Sequence, residues 1–226
     1  VSSKKTGFAI ALAWPRTLCK QAGAWYDHPL RWIGINKDFY YRVGHAAVVL
    51  VNVSDRNCLY FDFGRYHSPH GLGRVRDATT DHDLEIKTRA IISDGRIINL
   101  VSILLELNSN NSCHGSGPLH GSYTAIDFER ALHTAKKMQE QSPIPYGPFV
   151  PDGTNCSRFV NTVLLAGKPA LRSMLLLRFP KTFSPTPLGN VKALKERFVI
   201  QSSFIAFSGG KPNRIPLICH EESCPA

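Results

Sequence analysis

Cys156 and His45 are the residues of this 226-residue chain whose surroundings best suit chemistry together. Cys156 follows Asp152-Gly153-Thr154-Asn155, a cap-forming run. It opens Ser157-Arg-Phe-Val-Asn-Thr-Val-Leu-Leu165, whose apolar residues recur at helical spacing. A cysteine in a helix's first turn feels the helix dipole and unpaired N–H groups, which favour thiolate, the nucleophilic form. The same N–H groups suit a developing oxyanion. Taken alone, a buried structural cysteine would explain the residue as well. His45 follows Gly44 and heads Ala46-Ala-Val-Val-Leu-Val-Asn-Val53. An imidazole at the mouth of a buried strand fits a general base on a rigid element. Taken alone, a hydrogen-bonded core histidine is the plainer reading.

The elements that must carry these two residues are legible in outline. Gly7–Trp14 is a short apolar run ended by Pro15 and reads as a buried strand, although two lysines before it give it a superficial likeness to a signal peptide. Residues 15–42 are rich in aromatics, Gly and Pro and read as a long loop with one helical turn at most. Gly44–Val53 is β-branched and reads as a central strand. Ser54–Asn57 is turn material, and Cys58–Phe63 completes an antiparallel hairpin. Residues 64–83 read as a loop facing the site. Leu84–Ile92 alternates and predicts a third strand, residues 97–107 a helix, and 108–121 a loop. Tyr123–Gln141 reads as an amphipathic helix, broken by Pro143, Pro145, Pro148 and Pro151. The cysteine helix ends at Gly167 and Pro169. A short helix near 189–197 and a last strand near 198–207 complete an α+β chain with about five strands. No internal repeat is present.

Composition narrows the partners. Hydrophobic residues at 43% and charged residues at 19% describe an ordinary globular chain. Its net charge of +10 favours polyanions: nucleic acid, anionic lipid headgroups or an anionic cell wall. The basic residues are scattered, and no zinc-finger, RNP-like or basic-helix pattern appears, so nucleic acid is not an expected partner. Six cysteines include no C-x-x-C pair. Cys219-His-Glu-Glu-Ser-Cys224 has metal-like chemistry but no second pair, so no metal or cofactor is expected; a tail disulfide and two unrelated cysteines are the other readings. No apolar run reaches the ~18 residues of a transmembrane helix.

Gly44-His45-Ala-Ala-Val-Val-Leu, Leu59-Tyr-Phe-Asp62-Phe and Asn155-Cys156-Ser-Arg-Phe-Val, in that order, are more specific than any one of them. Together they resemble the circularly permuted branch of the NlpC-type papain-like enzymes, which includes lecithin:retinol acyltransferase-like proteins and bacterial hydrolases. In the usual papain order the cysteine helix comes first; here the histidine strand does. The resemblance covers residues 44–63 and 150–165 and leaves 1–43 and 170–226 as extensions of a single 1–226 domain. It implies a papain-like α+β fold, an antiparallel sheet with the nucleophile helix packed on it, and a Cys–His acyl-enzyme mechanism. Its substrates would be cell-wall peptide bonds or lipid acyl groups. A cell-wall amidase or peptidase is the leading expectation, a lipid acyltransferase or thiol lipid hydrolase the second, and a non-catalytic binding module on the same fold the third. A bacterial protein exported to the cell envelope fits that picture.

The residue that orients His45 is read as Asp62, because an unpaired carboxylate on an aromatic strand would be costly and alternation puts Tyr60, Asp62 and Gly64 on one face. Tyr66 is the alternative: a tight turn at Asp55–Arg56 would bring residue 66 opposite residue 45. Arg65, Tyr66 and Asn155 are candidate substrate contacts, and Arg65, Arg74 and Arg76 could grip an anionic group or lie on a solvated loop. Trp14, Trp25, Tyr26 and Trp32 would line a groove or pack the N-terminal loop. His67, His70, His82, His114 and His120 read as solvated loop histidines.

Overall fold

The structure is a computed structural model that describes residues 4–20, 36–37, 40–41, 43–204 and 214–220. In chain order come β1 (Gly7–Trp14), β2 (Cys19–Lys20), β3 (Asn36–Lys37), β4 (Tyr40–Tyr41), β5 (His45–Asn52), β6 (Cys58–Gly64) and β7 (Leu72–Arg76). Next are β8 (Ile92–Ser93), β9 (Arg96–Ile97), α1 (Leu100–Ser109), β10 (Leu119–Ile126), α2 (Phe128–Glu140) and β11 (Ile144–Pro145). The chain continues through α3 (Cys156–Ala166), α4 (Leu171–Arg178), α5 (Pro187–Lys192), β12 (Glu196–Phe204) and β13 (Arg214–His220). Eight strands form one sheet in the order β11-β7-β6-β5-β1-β10-β12-β13. Each neighbouring pair is antiparallel.

The sheet is covered on both faces, which is why β1 and β5 read as continuous apolar runs rather than alternating ones. Along β1 the alternation is one of size. Ala9, Ala11 and Ala13 join Ala46, Val48 and Leu50 in a core built with Phe159, Val160 and Val163 of α3. The small side chains let that helix lie close to the sheet. Phe8, Ile10, Leu12 and Trp14 point the other way, into a second core with Leu100, Ile103, Leu104 and Leu107 of α1. β1 thus presents small residues to the α3 side and large ones to the α1 side.

Several sequence expectations need correction. The third strand after the histidine hairpin is β7, inside the stretch read as a loop. Leu84–Ile92 is not a strand, although Leu84 and Ala90 are buried. Several of its N–H groups are taken by side chains instead of a neighbouring strand: Lys87 and Thr88 donate to Glu106 at 2.7 and 2.9 Å, and Ile91 to Asn99 at 2.7 Å. Residues 123–126 belong to β10, and the following helix starts only after Asp127, whose side chain caps it by accepting from Arg130 N at 3.3 Å. The sheet has eight strands, not five. The β5–β6 register pairs Ala47 with Asp62, so residue 64 rather than 66 continues opposite His45. Trp25, Tyr26, Trp32 and Cys224 lie outside the described residues.

Candidate active site

His45 is the first residue of β5, and its cross-strand partner on β1 is Trp14. The indole stacks on the imidazole at 5.8 Å and 23°, closing one ring face against water. Gly44 before it holds φ +73°, where a Cβ would come within 2.9 Å of the Trp14 carbonyl oxygen, so glycine is what lets the chain enter the strand there.

Asp62 lies on β6, diagonal to His45 on the same face, and is fully buried. Its carboxylate is heavily partnered. His45 Nε2 lies 3.1 Å from Oδ2, and the Tyr60 and Tyr66 hydroxyls each donate to the same oxygen at 3.1 Å. Arg76 grips both oxygens, Nε to Oδ1 at 3.0 Å and NH2 to Oδ2 at 2.7 Å. Arg76 comes from β7, where register sets it opposite Asp62. It also donates to Ser112 O at 3.1 Å and stacks over the Tyr66 ring at 3.4 Å. Tyr66 crosses back over the end of β6 because residue 64 is glycine: a Cβ there would meet the ring at 2.4 Å. Its hydroxyl oxygen lies 3.3 Å from His45 Nε2. The His114 ring stacks on Tyr66 from outside at 5.1 Å.

Cys156 opens α3, as the capping run implied. Asn155 is the N-cap, its side-chain oxygen accepting from Arg158 N at 2.8 Å. The thiol packs with the α3-side core, whereas His45 and Asp62 belong by alternation to the opposite face of the sheet. They meet because His45 is a strand-end residue, which brings its ring close enough to the thiol for each to shift the other's protonation.

The electrostatics of the three groups interlock. Burial alone would raise the Asp62 carboxyl, but the hydrogen bonds and charges of His45 and Arg76 outweigh it and hold it at about 2. Burial would lower His45, but bonds to Asp62 and Cys156 raise it to about 9. Burial would raise Cys156, but the hydrogen bond and charge of His45, with help from the Ala46 backbone, bring it below the usual thiol value. An imidazole pushed up beside a thiol pushed down is the signature of a thiolate–imidazolium pair.

A cavity of about 320 Å³ opens over Cys156. Its walls include Tyr41, Val43, Tyr146, Phe149, Phe183 and Pro187, with Asn155 and Ser157 beside the thiol and, among the described residues, no Asp, Glu, Lys or Arg. A second cysteine, Cys19, lines it too. Burial, reinforced by the nearby Cys156 charge, pushes the Cys19 thiol up to about 12, and its Sγ–H points at Gly44 O at 3.6 Å. Two cysteines on one cavity therefore have opposite character.

The sequence-derived candidates divide accordingly. Cys156, His45 and Asp62 come together, and Tyr66 joins the carboxylate rather than lining the cavity. Asn155 lines the cavity, and the Arg65 guanidinium lies 5.1 Å over the Tyr146 ring of its wall. Arg74 makes a two-pronged bond to Asp81 at 2.8 Å and Arg76 is buried on Asp62, so neither is a solvated loop arginine. Arg76 and Trp14 were read as possible substrate-anion and groove residues and Tyr60 only as a neighbour of Asp62 on its face; the structure sets Arg76 and Tyr60 on the Asp62 carboxylate and Trp14 on the His45 ring instead. The available signal was the alternation of Arg74, Val75 and Arg76, hidden by the glycines around it. Among the described residues no cluster of three or more His, Cys, Asp or Glu could hold a metal ion.

A family model for type VI secretion system effector TseH-like proteins matches residues 9–172, which span every residue of this cluster. The chain belongs to the TseH-like effector family. Comparison with curated proteins gives no match. Among solved structures, the crystal structure of the type VI secretion system effector TseH superposes with a TM-score of 0.54 at 21% identity, covering 87% of this chain and 93% of that one. That likeness is one of fold and agrees with the papain-like α+β architecture. As a member of an effector family the protein is a secreted one.

Proposed function

We propose that this TseH-like chain is a cysteine hydrolase that cleaves an amide or ester bond through an acyl-enzyme, with Cys156 as nucleophile, His45 as acid and base, and Asp62 as the residue that positions His45. One observation carries the reading: a helix-opening thiol, lowered by the imidazole beside it, shares that imidazole with a buried carboxylate 3.1 Å from its Nε2. Nε2–H is directed to Asp62, which leaves Nδ1 for the thiol. The thiolate adds to the substrate carbonyl carbon, and the N–H groups of Cys156 and Ser157, which have no carbonyl partner one turn back, face the oxyanion. His45 then gives its proton to the departing amine or alkoxide, and a thioester forms. Water, deprotonated by His45, releases the acid and restores the thiol. In this reading the strand-first, helix-second order is that of the permuted papain-like branch, and the effector is delivered into target cells rather than kept in the envelope.

Cell-wall peptide bonds are the leading substrate class, on resemblance. The uncharged, aromatic and aliphatic cavity favours a second reading, hydrolysis or transfer of a lipid acyl group. Release of free amines from purified peptidoglycan, or of fatty acid from phospholipid vesicles, separates the two, and either activity must vanish in Cys156→Ala. The hydrolase reading itself is tested by iodoacetamide in mildly acidic buffer. Cys156 alkylates first and His45→Ala slows it, whereas Cys19 on the same cavity stays inert. Equal reactivity of the two thiols would sink it and leave a binding module.

A further inference from the structure

Helix α4 is built inside out. Its inward positions are Ser173 and Leu177, both buried, while Leu171, Leu175 and Leu176 face solvent at 66, 48 and 41% exposure. Phe179, just past its end, is 70% exposed, and Phe183 is fully exposed. A soluble helix normally turns its leucines inward and its serine out. Basic residues are interleaved with these side chains: Lys168, Arg172, Arg178 and Lys181, in a stretch from Asp152 to Glu196 that has no acidic residue between its ends.

This surface is tied to the cysteine helix. Asn161 of α3 donates to Leu177 O at 3.0 Å and to Asn190 Oδ1 at 3.1 Å, and Asn190 donates to Ser157 O at 2.8 Å. The segment between Leu177 and Asn190 is thus anchored at both ends on the helix that carries Cys156. Phe183 belongs to both places, exposed on the surface and forming part of the cavity wall.

We propose that the Leu171–Phe183 face docks on an anionic lipid bilayer, with the leucines and phenylalanines entering the headgroup boundary, the flanking lysines and arginines on lipid phosphates, and the cavity mouth turned toward the membrane. Interleaved leucine, phenylalanine and basic residues are the pattern of interfacial helices, whereas the cores of protein–protein interfaces are depleted in lysine and other charges. The net charge of +10 has the matching sign. No described helix is long and apolar enough to cross a membrane.

Full-length Cys156→Ala protein, which cannot consume lipid, is sedimented with vesicles of phosphatidylcholine alone or mixed with phosphatidylglycerol. Binding is expected to the mixed vesicles, to be weakened but not abolished by 0.5 M salt (a screening length of about 4 Å), and to fall at least tenfold in Leu175→Glu/Phe179→Glu. Neither residue lines the cavity, so the same double variant with Cys156 retained keeps the wild-type alkylation rate, which verifies its fold. Absence of binding to any vesicle, or undiminished binding by the double variant, overturns the proposal. So does binding that vanishes in salt and is matched by a soluble polyanion, or a self-association in gel filtration that the double variant abolishes. None of these outcomes touches the hydrolase reading, which stands or falls on thiol reactivity.

Discussion

Cys156 sits between two unlike regions. Toward His45 the molecule is polar, buried and saturated with hydrogen bonds, Asp62 alone accepting from two tyrosines, a histidine and an arginine. Toward the cavity it is apolar, open and uncharged. A buried polar group costs several kcal/mol unless paired, so the first region tolerates almost no substitution, whereas the second can vary with what it binds. In the proposed reading the chemistry belongs to the polar half and the choice of substrate to the apolar half. A further asymmetry follows: apart from Tyr66 in the loop after β6, the residues around Asp62 and His45 come from β1, β5, β6 and β7 of one sheet, while the apolar half is assembled from β2, β4, α3, α5 and the loops between them.

The largest effect expected at this boundary is that of Cys156→Ala. Losing the nucleophile should lower turnover by roughly 10⁴-fold or more, the range seen when a catalytic triad loses a member. Stability should barely move, because only one buried sulfur is removed. A Cys156→Ala protein that keeps hydrolysing its substrate would dissolve the distinction between the two halves.

Next is Asp62→Asn. An amide cannot hold His45 in the same tautomer or stabilise its imidazolium, so turnover should drop about 10³- to 10⁴-fold. Unlike Cys156→Ala, this change also leaves the buried Arg76 guanidinium with only Asp81, 3.9 Å away, as counter-charge, at a cost of up to about 3–5 kcal/mol. Rate and melting temperature measured together therefore distinguish the two halves. A large loss of melting temperature with activity retained would mean that Asp62 serves Arg76 and not His45.

The third effect is on pH. His45 is raised from 6.5 to about 9 in the fold, so its stabilising contribution is complete below about 6.5 and is lost as pH rises through about 9. The imidazolium needed to protonate the leaving group disappears over the same interval, so kcat/KM should fall on the alkaline side near pH 9. Cys156 is lowered, so its contribution is present above its unfolded value and is lost as pH falls through its folded one. Asp62→Asn should move the alkaline limb toward 6.5. An alkaline limb that stays near 9 in that variant would show that Cys156, not Asp62, is what raises His45.

Much of the polar half was legible in the sequence, and little of the apolar half. His45, Asp62 and Cys156 each stood out as a chemically active side chain against an apolar element, and local signals sufficed: a strand start, a strand interior and a capped helix start. The role of Arg76 was missed because its partner is 14 residues away and becomes visible only through the β6–β7 register. Leu84–Ile92 was misread because its alternation is genuine while the N–H groups of Lys87, Thr88 and Ile91 go to Glu106 and Asn99, a match with another segment that periodicity does not encode. The cavity wall joins residues near positions 19, 41, 149 and 183, whose proximity only the fold creates.

The smallest effect tests where the polar half ends. Tyr66 was the competing choice for orienting His45, and its hydroxyl touches both Asp62 Oδ2 at 3.1 Å and His45 Nε2 at 3.3 Å. Since that hydroxyl donates to Asp62, it can only accept from Nε2–H, and the carboxylate is the nearer and charged acceptor. Tyr66→Phe removes the hydroxyl but keeps the ring on which Arg76 and His114 stack. Asp62 retains Tyr60, His45 and Arg76, so the loss is one hydrogen bond of about 1 kcal/mol, or several-fold in rate, with the alkaline limb still near pH 9. A loss beyond about 100-fold, with the limb displaced toward 6.5, would exceed what one such bond supplies. It would make Tyr66 rather than Asp62 the group that sets the imidazole, and would carry the polar half out along the loop beyond Gly64.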